Sequence, residues 1–147
     1  EWRWAAHEGM RDRYATKGVN LLIDERSVAG RQVLVDRSRI GQVLTNLLNN
    51  ALRHTPAGGT VMISAAGDRD QVGITVSDNG DGMTPEQLDH AFERFYRGDA
   101  ARTRDRTGSG IGLTISRAII NAHGGSLTAA SSGPDQGSTL TINLPTP

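Results

Sequence analysis

Asn46, Asn50 and Arg53 recur at helical spacing within "RSRIGQVLTNLLNNALRHTP", and their types suit a phosphorylated ligand. An amide oxygen is a hard neutral donor that magnesium accepts, and that ion keeps several waters while borrowing phosphate oxygens. An arginine one turn along can neutralise the phosphate itself. The same trio also suits a plain solvated helix flank. Asparagine is a mediocre helix former, however, and three of them at 46, 49 and 50 need a reason.

Two glycine-bearing turns add to this pattern. In "SDNGDGM" (77–83), Asp78 ends an apolar run and glycines follow at alternate positions. A buried carboxylate needs a donor, and the exocyclic amine of adenine is one. The stretch also suits a hairpin turn, for which "NG" and "DG" are the commonest signals, but a helical pattern follows it instead of a paired strand. In "TGSGIGL" (107–113) three glycines lead from a charged stretch into a helix. The lysine of a Walker loop is absent, since Gly112 is followed by Leu113, and GxGxG is not the dinucleotide spacing. What remains is backbone amides at a helix N-terminus, which hold phosphate without a lysine.

Placing these residues takes alternating strands and helices. Ile40, Val43, Leu44, Leu47, Leu48, Ala51 and Leu52 form one apolar helical stripe, with Asp36 able to cap its start and Pro56 its stop. At about 100° per residue, Gln42, Asn46, Asn50 and Arg53 fall on one flank of that stripe. "VNLLID" (19–24), "QVLVD" (32–36), "TVMISAAGD" (60–68), "QVGITVSD" (71–78), "SLTAAS" and "STLTINLP" read as strands, the third and fourth as a hairpin. "TPEQLDHAFERFYR" (84–97) and "IGLTISRAIINAHGG" read as helices, and residues 1–17 as a short mixed, charged one in which Trp2 and Trp4 mark either an interface or a packed terminus. Residues 98–110 carry many charges and almost no apolar content, which predicts a mobile loop, long enough to be either functional or disordered. The alternation predicts an α/β layer protein with one core, a fitting size for 147 residues.

Composition narrows the function classes. Sixteen basic and sixteen acidic side chains cancel, which argues against nucleic acid or an anionic membrane as partner. The absence of cysteine removes disulfides, thiolate metal sites and a cysteine nucleophile. His7, His54, His90 and His123 show no metal-binding spacing. No stretch approaches the ~20 apolar residues of a membrane span. The chain begins at Glu1 without a leader pattern, and so reads as a fragment or a processed chain.

The asparagine helix, DxGxG, "FERFYR", GxGxG and a terminal "GST" strand, in that order, resemble the ATP-binding catalytic domain of sensor histidine kinases. That domain belongs to the GHKL superfamily with gyrase-type topoisomerases, heat-shock chaperone ATPases and mismatch-repair ATPases. The resemblance runs from Val19 to Pro145. It implies a two-layer α/β sandwich of the Bergerat type: a mixed five-stranded sheet packed on three helices, with a mobile ATP lid at 98–110. Residues 1–18 would lead in from an absent dimerisation and phosphotransfer domain, and 19–147 would form the ATP-binding domain.

The resemblance also implies roles. Asn46 and Asn50 match the asparagine box, with Asn50 the expected magnesium ligand and Asn46 its companion. Arg53 stands where a basic residue meets phosphate, and His54 where an aromatic packs near the nucleotide. Asp78 matches the aspartate that accepts from the adenine amine, Gly80 and Gly82 shape the floor, and Ser138 stands where a threonine supports that aspartate. Phe92 and Phe95 would anchor the lid, and Arg97 would reach the terminal phosphate. Gly108, Gly110, Gly112 and Leu113 would close over the phosphates.

Gln42 occupies a position where ATP-hydrolysing relatives often carry a glutamate, and a glutamine cannot take the proton of water. Leu140 replaces a usual phenylalanine. His7 is followed by "EGMRDR", not by a phospho-acceptor motif, so the accepting histidine is expected on another domain. The implied function is binding of magnesium-ATP and supply of its γ-phosphoryl group to that histidine, in a cytoplasmic two-component system with a downstream response regulator. Alternatives are a GHKL ATPase, an anti-sigma-factor type serine kinase, or one half of a split kinase without turnover alone. "FERFYR" argues against the first two.

Overall fold

A computed structural model describes residues 2–25, 37–67, 70–93 and 111–146, except for the side chains of 2–8, 25, 37 and 111. The order of elements is α1 (Trp2–Lys17), β1 (Asn20–Glu25), α2 (Arg37–His54), β2 (Thr60–Gly67), β3 (Gln71–Asp78), α3 (Pro85–Asp89), α4 (Ile111–Ala122), β4 (Ser126–Ala130) and β5 (Ser138–Pro145). The strands form one sheet in the order β1-β2-β3-β5-β4. β1 runs parallel to β2, and the remaining pairs are antiparallel. This is the expected mixed five-stranded α/β sandwich.

Period-two burial sets which face of the sheet carries the helices. Val61, Ile63 and Ala65 of β2, Val72, Ile74 and Val76 of β3, and Leu140, Ile142 and Leu144 of β5 are all buried. Leu22 and Met62, which pair across β1 and β2, point to the opposite face and are exposed. The stripe expected for α2 is the centre of the other layer: Ile40, Val43, Leu44, Leu47 and Leu48 are fully buried, at about 1.5–3 kcal/mol each. Ile119 and Ile120 of α4 and Met10 and Tyr14 of α1 complete the same core.

α2 ends where Pro56 leaves the Leu52 carbonyl without its usual amide donor. Lys17 fills the gap, with Nζ 2.6 Å from the Leu52 oxygen. One turn earlier, the Tyr14 hydroxyl donates to the Leu48 carbonyl at 2.6 Å. α1 therefore clasps α2 by hydrogen bonds as well as by apolar contact.

One expected helix is shorter than its pattern. The N-terminus behaves as read: Thr84 accepts from the Gln87 amide while the Gln87 side chain accepts from the Thr84 amide, and Pro85 starts the first turn. The helix nevertheless ends at Asp89 and does not extend through the described residues to Glu93. His90 leaves helical geometry at ψ 10°, its ring meets Glu93 at 2.5 Å, and Phe92 is drawn against α4. Residues 94–97, the expected strand 32–36, the Asp36 cap and the 98–110 loop lie outside the described residues.

Candidate nucleotide site

Asp78 is the last residue of the central strand, registered with Val61 of β2 on one side and Ser138 of β5 on the other. The chain then turns so that the Gly80 amide donates to Asp78 Oδ1 at 2.9 Å. The Ser138 main-chain amide supports the same carboxylate. Ser138 thus acts on Asp78 here through its backbone. Burial nonetheless pushes the Asp78 carboxyl above its ordinary value of 3.8, with those two amides pulling the other way. A half-buried carboxylate placed at a strand end, with its charge incompletely compensated, is a site for an incoming N–H donor.

The glycines of the turn answer to packing. A Cβ on Gly80 would lie 2.1 Å from the His54 carbonyl oxygen, and one on Gly82 (φ +68°) 2.1 Å from the Gly133 carbonyl oxygen. The turn is therefore pressed between the end of α2 and the β4–β5 loop, with no room for side chains. The Asp81 amide closes the contact by donating to the His54 carbonyl at 2.9 Å.

From that contact the polar flank of α2 runs back along the helix. His54 Nδ1 stands 3.7 Å from Asp81 Oδ2. Burial first, and then the Arg53 guanidinium, hold the imidazole below its usual 6.5, with Asp81 and Asp78 opposing. Its side chain stays 42% exposed. Arg53 Nη2 donates to Asn50 Oδ1 at 3.2 Å. One turn earlier, Asn46 Nδ2 donates to the buried Ser116 hydroxyl of α4 at 3.2 Å. Gly112, in the first turn of α4, sits over Asn46: a Cβ there would lie 3.9 Å from that side chain. Asn46 to His54 spans eight residues, or about 12 Å of helix edge.

One described edge therefore brings together Asp78, Gly80, Gly82, His54, Arg53, Asn50, Asn46 and Gly112. Leu113 follows Gly112 in α4 and packs against the core. Gln42 is exposed on α2. Phe95, Arg97, Gly108 and Gly110 lie outside the described residues. Phe92 is half-buried at the core edge, with the Arg117 guanidinium 4.3 Å from its ring centroid and its carbonyl accepting from Thr114 at 2.8 Å. The donor set fits magnesium of the kind held mostly by phosphate and water: Asn50 Oδ1 accepts one bond, and a carbonyl oxygen carries a second lone pair. Among the described residues, no group of three or more His, Cys, Asp or Glu is placed to hold an ion.

Sequence reasoning missed Ser116, Asp81, Ser131, Thr114 and Arg117. Each acts through a partner far away in the chain, which no local spacing reports. A partial signal existed for Ser116, a polar residue on the apolar face of a helix.

Residues 35–147 match the family described as Histidine kinase-, DNA gyrase B-, and HSP90-like ATPase. The chain belongs to this family. Among curated proteins it is 43% identical over 139 residues to the signal transduction histidine-protein kinase BaeS of Escherichia coli (strain K12). That match covers 92% of this chain but 28% of BaeS, so the chain spans under a third of that relative's length. Among solved structures, the mycobacterial sensor histidine kinase MprB superposes with a TM-score of 0.82 at 28% identity, over 99% of this chain and 92% of that one. Full-length ShkA in complex with AMPPNP superposes at 0.84 with 27% identity, over 99% of this chain and 29% of that one. As a member of the family, the chain is an ATP-binding domain of the histidine-kinase type in an α/β fold.

Proposed function

We propose that this domain binds magnesium-ATP and supplies the γ-phosphoryl group to a histidine on a separate dimerisation and phosphotransfer domain. The observation that carries the reading is the continuous α2 edge. It has a base acceptor, Asp78, at one end and a phosphate and metal end, Arg53, Asn50 and Asn46, at the other. Its order, a hydrogen-bond acceptor at one end and groups suited to phosphate and metal at the other, suits a nucleoside triphosphate. The relatives' names support the kinase class, and the AMPPNP named with ShkA supports an adenine nucleotide as ligand.

In this reading Asp78 accepts from the adenine amine, supported by Ser138, and His54 flanks the base. Arg53 neutralises phosphate, and Asn50 supplies a metal oxygen. Asn46 joins α2 to the α4 turn whose amides, at Gly112 and Leu113, face the phosphates together with Gly108 and Gly110. Arg97 reaches the terminal phosphate. Bound magnesium would neutralise part of the triphosphate charge. Transfer of this kind is mainly positioning and charge neutralisation, which suits a site of neutral amides and arginines. Gln42 in place of a carboxylate base favours transfer over hydrolysis.

By the same reading this domain is the cytoplasmic portion, or partner, of a membrane-anchored sensor acting on a response regulator. Residues 1–18 lead from the phosphotransfer domain. Calorimetric titration tests the ligand: ATP should bind more tightly with magnesium present and more tightly than GTP. Equal affinity for ATP and GTP would sink the assignment of Asp78.

A further inference from the structure

The β4–β5 loop closes over the outer side of the 79–83 turn, and one side chain organises the junction. The Ser131 hydroxyl accepts from the Met83 amide at 3.0 Å and from the Gly133 amide at 3.3 Å. It donates to the Gly137 carbonyl at 2.7 Å. One donor and two acceptor sites are all a hydroxyl has, so this one is fully engaged. Its partners are not arbitrary. Met83 ends the turn that begins at Asp78. Gly137 immediately precedes Ser138, whose amide supports the Asp78 carboxylate. Gly137 also lies so close to Asp78 that a Cβ there would be 2.1 Å from the Asp78 carbonyl oxygen.

We propose that Ser131 is a positioning residue for base recognition, its hydroxyl tying the far end of the 79–83 turn to the strand entry that supports Asp78. This rests on the nucleotide reading above and adds a residue that touches no ligand itself. Two other bonds join the loop to the turn: the Asp135 amide to the Asp81 carbonyl at 2.6 Å, and the Gly137 amide to the Gly80 carbonyl at 3.2 Å. Both are main chain to main chain and survive a side-chain substitution. Removing the hydroxyl therefore leaves the loop docked while freeing Met83 and the Gly137 carbonyl to drift. Selectivity for the base should suffer before stability does.

The test compares the unmodified chain with Ser131→Ala, Ser131→Thr and, as a control one residue along, Ser132→Ala. ATP and GTP affinities are measured by calorimetry with magnesium. Ser131→Ala should weaken ATP binding about tenfold while GTP affinity stays within about twofold, so that preference for ATP falls. Ser131→Thr should restore the preference, and Ser132→Ala should match the unmodified chain. Equal loss for ATP and GTP, or an unchanged preference in Ser131→Ala, overturns the proposal. An unmodified chain without preference for ATP overturns the nucleotide reading itself, and the role of Ser131 with it. Amide hydrogen exchange in the unliganded protein gives a readout independent of affinity: Met83 should be protected and should exchange faster in Ser131→Ala. Identical Met83 exchange in the two proteins also overturns the proposal.

Discussion

Asp78 carries an electrostatic cost that the fold does not remove. Burial raises its pKa above 3.8 despite two amide donors. A carboxyl with a raised folded-state pKa adds stability below 3.8, and that contribution is lost as pH rises through the folded value. Near neutral pH the ionised group therefore opposes folding slightly, as expected of a residue kept for a ligand. Two outcomes follow from the proposal that ionised Asp78 accepts from adenine. Asp78→Asn should lose about 10- to 100-fold in ATP affinity with GTP affinity little changed, measured by calorimetry. ATP affinity of the unmodified chain should decline on acidification at pH values still above 3.8, and the Asn variant should show a flatter profile. Asn50 Oδ1 accepts from Arg53 Nη2, so the pair forms a polar corner on α2. Asn50→Ala should remove most of the gain in ATP affinity that magnesium brings. Magnesium titrations that look alike in both proteins would refute the metal role.

At the scale of elements, the site depends on where α2 ends. Lys17 is the sole lysine of the sequence, and it serves the Leu52 carbonyl, which lacks its i+4 amide because that residue is Pro56. Lys17→Ala should cost about 1 kcal/mol, or about 3 °C in a thermal melt. It should also loosen the contact between the His54 carbonyl and the 79–83 turn. α2 and the strands were legible because their apolar periods are long and regular. The asparagine flank and the glycine turn after Asp78 were legible because their partners are local or their order matched a known family, whereas Gly108 and Gly110 of the other glycine turn lie outside the described residues. The sequence of α1 reads as a short charged helix, since among its described side chains only Met10 and Tyr14, at i and i+4, are buried. α3 was overextended because propensity continues past Asp89, whereas the contacts of Phe92 with Thr114 and Arg117 turn the chain. Ser131 gave no signal and Ser116 only the partial one of a polar residue on an apolar helix face, because their roles exist only once distant segments meet.

For the whole molecule, balanced charge and a single sandwich suit the proposed role, in which the domain presents a bound nucleotide to another domain. Among the described residues, no helix is long and apolar enough to cross a membrane. The chain covers 28% of BaeS, a span that leaves room in such a protein for the sensing and phosphotransfer parts the proposal requires. Alone, the domain should bind ATP and show little turnover, because the site offers no carboxylate base at Gln42. The most direct test mixes the chain with γ-labelled ATP and a cognate phosphotransfer domain. The account predicts acid-labile label on that domain, absent when the phospho-accepting histidine is replaced. Acid-stable label on the partner, or release of free phosphate with no labelled protein, would contradict it.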